Sequence, residues 1–196
     1  DVSGYFMPQT ICPWISLQEL KKAEVNAFKL RNFYNFNLGE TYSEGIDVLT
    51  KDMLYQFCTG EISLDRSNEV VVGCDQGDIF HIVVAKYNEG KRQIVYVEKT
   101  KDVNRLDELM AIFNVRLWII DALPYKPIAK AFASRYPGKV KIIYYHEIES
   151  TFKKGTAINS MIVDRTEILD RSAEEYTSGK VILPQKNFIV DEFIKQ

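Results

Sequence analysis

The sequence predicts an α/β domain whose mixed sheet begins with three antiparallel strands and continues with parallel strands separated by helices. Two observations lead to this fold class. Apolar runs over residues 69–75, 79–87 and 92–100 are joined only by short turns, which indicates a β-meander. Beyond residue 100, segments with helical spacing of apolar residues alternate with two further apolar runs, which indicates parallel strands connected by helices.

The elements after the meander can be read in order. Residues 103–113 have the apolar spacing of a helix, and residues 115–121 form a continuous apolar run that predicts a strand buried on both faces. A second helix follows over residues 124–136, with proline near its start, and residues 139–147 form the fifth strand. The order strand-strand-strand-helix-strand-helix-strand is the core of the ribonuclease-H-like fold, with helices on both faces of the sheet. A dinucleotide-binding fold fits worse, because it needs a glycine-rich turn from its first strand into a helix.

The regions on either side of this core differ in character. Residues 1–68 are aromatic-rich and irregular, apart from a capping box at Ser16 and Glu19, and we expect them to be an N-terminal extension packed on a core of residues 69–196. Residues 148–164 predict a basic hairpin with Lys-Lys-Gly at its tip. A helix over residues 164–179 follows, and then a short strand and an unfinished helix.

Composition excludes several classes of protein. Hydrophobic residues make up 46% of the 196, enough for an ordinary core, and the net charge of −2 neither indicates nor excludes nucleic-acid binding. The three cysteines form no CxxC pair, so a zinc site or a disulfide framework is not supported. We expect no membrane span, because no apolar run reaches the roughly 18 residues required. The chain also contains no phosphate-binding loop of the Gly-x-x-x-x-Gly-Lys type, and its opening resembles the interior of a longer protein.

Two aspartates stand at the ends of predicted neighbouring strands. Asp75 ends the first core strand and Asp121 ends the fourth, so their carboxylates are expected side by side on one face. Adjacent carboxylates repel each other unless a cation lies between them, and oxygen ligands on a rigid sheet suit Mg²⁺ or Mn²⁺. Such a site can hold two ions about 4 Å apart for phosphodiester hydrolysis. The alternative for each residue is an ordinary turn or helix-cap aspartate.

Further candidates surround this pair. Asp78 is interpreted either as an additional metal ligand or as a residue that shapes its turn. Asp164 is the best-placed third acid, with a helix N-cap as an equally good interpretation. Several basic residues would contact a DNA backbone if they converge on the acids, although a solvated surface explains any one of them. These candidate DNA-binding residues are Lys126, Lys130, Lys153, Lys154 and Arg165.

Four stretches of the sequence resemble the C-terminal nuclease domain of tailed-phage large terminase subunits. RNFYNFNLGETY resembles the segment that leads from the motor domain into the nuclease, and VVVGCDQGD resembles the first nuclease strand with its metal-binding aspartate, here Asp75. WIIDALPYKPIAKAFASRYPGKVKIIYY resembles the strand with the second acid, here Asp121, and the helix and strand after it. MIVDRTEILDRSAEEYTSGKVILP is also similar to this group. The resemblance covers nearly the whole chain and depends on the order of these motifs.

The resemblance implies a metal-dependent endonuclease that cuts concatemeric viral DNA during packaging, in the host cytoplasm. It implies as partners double-stranded DNA, a small terminase subunit, the portal protein and an ATPase domain that this sequence lacks, to which residues 1–68 would be the linker. In this family the third acid usually lies further toward the C-terminus than Asp164. Two alternatives remain open: a resolvase or transposase-like nuclease of the same fold, and a non-catalytic docking module.

Overall fold

A computed structural model describes residues 7–27, 33–40, 49–64, 66–146, 152–155 and 159–194. The chain divides into two compact units, residues 1–47 and residues 48–196. The sequence predicts a boundary at residue 68, so the two divisions differ in where they place residues 48–68. This segment belongs with the second unit because its short strand Cys58–Gly60 pairs with a C-terminal strand.

The first unit is helical in its described part. A 3₁₀ turn spans Gln9–Ile11, helix α1 spans Leu17–Asn26, and a π-helical segment spans Phe33–Leu38. Helix α1 begins with the predicted capping box, in which Ser16 Oγ accepts from Glu19 N and Glu19 Oε2 accepts from Ser16 N. This reciprocal pair satisfies two backbone donors that a helix start would otherwise leave unbonded.

The second unit is built on one mixed sheet. Its described strands lie in the order β1-β9-β4-β3-β2-β5-β6-β8-β7. Strands β2, β3 and β4 form the predicted antiparallel meander, and β5, β6 and β8 continue from β2 in parallel. This arrangement confirms the ribonuclease-H-like fold. The strands span Cys58–Gly60 (β1), Glu69–Gln76 (β2), Phe80–Asn88 (β3), Lys91–Thr100 (β4), Asn114–Asp121 (β5), Val140–Tyr145 (β6), Phe152–Lys154 (β7), Ser160–Val163 (β8) and Val181–Pro184 (β9).

Helices cover the two faces of the sheet differently. The helices of this unit are α2 (Lys51–Gln56), α3 (Asn104–Ile112), α4 (Lys126–Arg135), α5 (Arg165–Thr177) and α6 (Phe188–Ile194). Helices α3 and α4 pack on one face, here called the closed face, around the fully buried Trp118 and Phe132. The opposite face, here called the open face, meets the C-terminal part of α5 and helix α6 in a smaller cluster that includes Tyr176 and Val190. No described helix is long and apolar enough to cross a membrane.

Two predicted local features were wrong. Strand β5 is not buried on both faces: Trp118 and Ile120 are fully buried on the closed face, whereas Leu117 and Ile119 on the open face are only half-buried. A continuous apolar run in a strand therefore does not by itself show that helices cover both of its faces. The predicted hairpin exists, but Lys153 and Lys154 lie within β7 instead of at the tip, since Lys153 and Lys154 pair with Ile162 and Met161 of β8.

Candidate metal centre

The sheet register brings Asp75 and Asp121 together at the ends of two adjacent strands. Strands β2 and β5 run parallel, with Gly73 opposite Ile119 and Cys74 opposite Ile120, so the two aspartates are the next pair on the open face. Their carboxyl groups lie close enough to hydrogen bond with each other. The side chain of Asp75 is 70% exposed, so this pair is accessible from solvent.

Asp121 is the more enclosed of the two acids. Its pKa is raised to about 6, chiefly because burial disfavours the charged carboxylate; the neighbouring Asp75 also raises it. Tyr145 Oη donates a hydrogen bond to Asp121 Oδ1 over 2.9 Å, which lowers the pKa in part, as does the positive charge of Arg165. Asp121 therefore binds a proton more tightly than an isolated aspartate does. A divalent cation bound between Asp75 and Asp121 would reduce the repulsion between their carboxylates, as a proton does.

The backbone beside the acids is held by Gln76. This side chain is buried, and its Nε2 donates to the carbonyl oxygen of Asp121 over 2.8 Å, which ties the ends of β2 and β5 together. On the other side of Asp75, His81 Nδ1 lies 4.0 Å from Asp75 Oδ2.

Cys74 is buried on the closed face, and burial, together with the two aspartates, raises the pKa of its thiol. The thiol is therefore neutral and unsuited to act as a nucleophile.

A cleft of about 630 Å³, here called the acid cleft, extends from the two aspartates between the open face and helix α5. It combines an acid end with largely apolar walls. Its lining residues are Gly73, Cys74, Asp75, His81, Val83, Ile119, Asp121, Ile143, Tyr145, Arg165, Ile168, Leu169, Ser172 and Phe193.

The other two predicted acids lie outside this lining. Asp164 is only 4% exposed and is the N-cap of α5, with its Oδ1 accepting from Glu167 N over 3.0 Å. This is the alternative that the sequence left open for it. Asp78 accepts a hydrogen bond of 2.6 Å from Tyr125 Oη, which links the β2–β3 turn to the loop after β5. Among the described residues, no group of three or more His, Cys, Asp or Glu side chains is arranged to hold a metal ion.

Of the predicted cations, Arg165 is the one that lines the acid cleft. Its guanidinium lies 5.7 Å from the ring centre of Tyr145. Lys126, at the start of α4, lies 5.3 Å from the ring centre of Tyr144 on β6, and Lys130 is exposed one turn further along the same helix. Lys153 and Lys154 lie on strand β7, which pairs with β8 at the end of the sheet order.

Sequence reasoning missed Tyr145 and Gln76. A signal for Tyr145 existed: it stands two residues beyond Ile143, which pairs with Asp121, so period-two alternation places its side chain on the same face as the acid. Gln76 gave no comparable signal, since a glutamine at a strand end is usually exposed.

Comparisons with known proteins find viral terminases among solved structures. No protein-family model matches the sequence, and no curated protein matches it. The chain is similar to the large terminase of a thermophilic bacteriophage, with 14% identity and a TM-score of 0.45, over 88% of this chain and 42% of that one. It is also similar to the Mn-soaked human cytomegalovirus terminase nuclease domain, with 9% identity and a TM-score of 0.47, over 76% of this chain and 86% of that one.

The chain thus spans less than half the length of the phage terminase.

Proposed function

We propose that this domain is a metal-dependent DNA endonuclease that cuts concatemeric viral DNA during genome packaging. The observation that carries the proposal is the contact between the carboxyl groups of Asp75 and Asp121 on the open face of a ribonuclease-H-like sheet. The cut itself and its viral context rest on the resemblance of the sequence to large terminase nuclease domains.

The donor set suits a hard divalent cation. Both ligands offer carboxylate oxygens at the ends of rigid, paired strands. The pKa of Asp121 is raised chiefly by burial and in part by Asp75, and a cation bound beside it would favour the charged carboxylate. Asp75 and Asp121 would hold Mg²⁺ or Mn²⁺, and the bound ion would supply an activated water and charge stabilisation at the phosphate. Asp78 and Asp164 are less suited to direct ligation, since neither lines the acid cleft, and Asp164 is buried as the N-cap of α5.

The chain's own residues prepare this site in three ways. Tyr145 fixes one oxygen of Asp121 by its hydrogen bond, which leaves the other oxygen for a cation. Gln76 holds the backbone of Asp121 in register. Arg165 places a positive charge at the edge of the acid cleft, where it would contact a phosphate of the bound DNA.

The proposal is tested by plasmid cutting with isosteric variants. Supercoiled plasmid incubated with the protein and Mn²⁺ should yield nicked and linear products. Asp75→Asn and Asp121→Asn should each reduce the rate by about a hundredfold or more, because each removes a charged metal ligand. Glu89→Gln is the matched control, since Glu89 is exposed in the far β3–β4 turn. Equal cutting by all four proteins would show that the site is placed wrongly.

A second candidate is a non-catalytic docking module with the same fold. The observation that favours it is the position of Arg165, whose positive charge acts on Asp121 and partly neutralises the acid pair without a metal. Calorimetric titration with Mn²⁺ separates the two candidates. Binding that Asp75→Asn abolishes supports the nuclease, whereas no binding at millimolar Mn²⁺ supports the docking module.

A further inference from the structure

The acid cleft continues well beyond the two aspartates, and that continuation is apolar. Ile119 and Ile143 form part of its floor, and Ile168 and Leu169 of helix α5 form the facing wall. Leu169 is 58% exposed and Ile168 is 39% exposed, and α5 has no buried residue in its described length. Apolar side chains that face a groove without filling it are typical of a ligand site.

Gly73 opens the middle of the cleft floor. It lies two residues before Asp75 on the same face of β2, and a Cβ built on it would meet no heavy atom within 4 Å. Its φ is not in the left-handed region, so the backbone does not require glycine there. A glycine inside a strand weakens the strand and often marks close approach by a ligand. The floor at Gly73 is therefore a flat stretch of backbone next to the acid pair.

Polar groups stand at the margins of this apolar space. Arg165 lies at the acid end, where an anionic group would be held. Ser172 on α5 and His81 on β3 also line the cleft and offer hydrogen-bonding atoms to a planar polar edge. The cleft thus combines an acid end, a cation, apolar walls and a few polar groups within about 630 Å³.

We propose that the acid cleft receives the unpaired base of a nucleotide whose phosphate lies at Asp75 and Asp121. This inference rests on the proposed nuclease function and names its substrate more closely: DNA that is locally unpaired at the cutting position. A ring with two apolar faces and a polar edge matches the floor at Ile143, the facing wall at Leu169 and the margin formed by Ser172. A base within intact duplex is stacked and paired, so it cannot enter such a cleft without leaving the helix.

The test compares two small anions that differ only in the base. Thymidine 5′-monophosphate and 2-deoxyribose 5-phosphate are titrated into the protein in the presence of Mn²⁺, and binding is measured by calorimetry. In the parent protein the base should increase affinity by roughly tenfold, the range expected for one base stacked in a site. Gly73→Ala should reduce this gain and Gly73→Val should abolish it, because the added methyl groups occupy the floor of the cleft.

Two controls separate blocking of the cleft from damage to the fold or metal site. Gly73→Val should unfold in urea at no lower concentration than the parent, since valine favours strands and the space is open. Its affinity for Mn²⁺ alone should be unchanged. Leu169→Ser provides a second variant, because an exposed helix position tolerates serine, and Ile189→Ser is its matched control on α6, outside the cleft lining.

The inference is overturned if both anions bind the parent protein equally well. It is also overturned if Gly73→Val and Leu169→Ser both keep the full gain from the base. In either case plasmid cutting by the parent protein is unaffected, so the nuclease proposal stands by itself. Conversely, a parent protein that binds the base but cuts no plasmid contradicts the nuclease and leaves a nucleotide-binding cleft.

Discussion

The closed and open faces of the sheet are built from the same strands but differ in how far their side chains are buried. On β5, Ile120 points to the closed face and is fully buried between helices α3 and α4, whereas Ile119 points to the open face and lines the acid cleft. On β2, Cys74 and Asp75 divide in the same way. Alternation along each strand therefore separates the residues that stabilise the domain from those available for chemistry.

The isoleucine pair measures this difference directly. Ile120→Ala should lower the free energy of unfolding by about 4 kcal/mol, because it removes a fully buried side chain from a packed core. Ile119→Ala should cost about 1 kcal/mol, since the same side chain is only half-buried above the cleft. Urea unfolding followed by circular dichroism provides the measurement. Losses of equal size would show that the open face is packed as tightly as the closed one.

The acid pair should itself reduce the stability of the metal-free domain. The pKa of Asp121 is about 6 in the folded chain, above its ordinary value of 3.8, so the folded state binds the proton more tightly than the unfolded state. The free energy of unfolding should therefore fall as pH rises from about 4 to about 6. Asp121→Asn carries no titrating group and should be more stable than the parent above pH 6, by about 1 kcal/mol after allowance for solvent screening.

The measurement is urea unfolding in EDTA at pH 4, 6 and 8 for both proteins. Near pH 4 the two curves should approach each other, because Asp121 is then protonated in the folded state. A variant that is less stable than the parent at pH 8 would show that the Asp121 carboxylate contributes favourable contacts that outweigh its burial.

The smallest effect concerns the residue that orients the acid. Tyr145→Phe keeps the aromatic ring beside Arg165 but removes the hydroxyl that donates to Asp121, so the pKa of Asp121 should rise further. Mn²⁺ affinity at pH 6.5 should fall about threefold, in keeping with the lower end of the net contribution of one hydrogen bond, and should recover at pH 8. Tyr144→Phe is the matched control. An equal loss at both pH values would indicate a structural role for Tyr145 instead.

The fold class and the acid pair follow from local patterns in the sequence. Short turns between the first three strands require antiparallel pairing, and apolar runs joined by helical segments require parallel pairing, so the strand order was predictable. Asp75 and Asp121 were predictable for the same reason, since each ends a strand in a known order. Each strand and turn is recognised from residues close together in the chain, and the order of these elements then places β5 beside β2.

Other features depend on contacts between distant segments. The sequence could not show that Leu117 and Ile119 would lack a covering layer, because that depends on how far α5 stands from the sheet. Nor could it choose between a ligand and an N-cap for Asp164, since both roles suit an aspartate before a helix; the fold sets its carboxylate against Glu167 N. Tyr145 reaches Asp121 from a strand 24 residues further along the chain.

The pair Asp75 and Asp121 could thus be named from the sequence, because each ends a strand recognised from local alternation and the ribonuclease-H-like order of elements places those two strands side by side. Three other features arise only when β6 and α5 pack beside β2 and β5. They are the hydrogen bond from Tyr145 to Asp121, the N-cap role of Asp164 and the apolar continuation of the acid cleft. Packing is a sum of many weak contacts between segments far apart in the chain, and no periodic pattern in the sequence predicts which segments will meet.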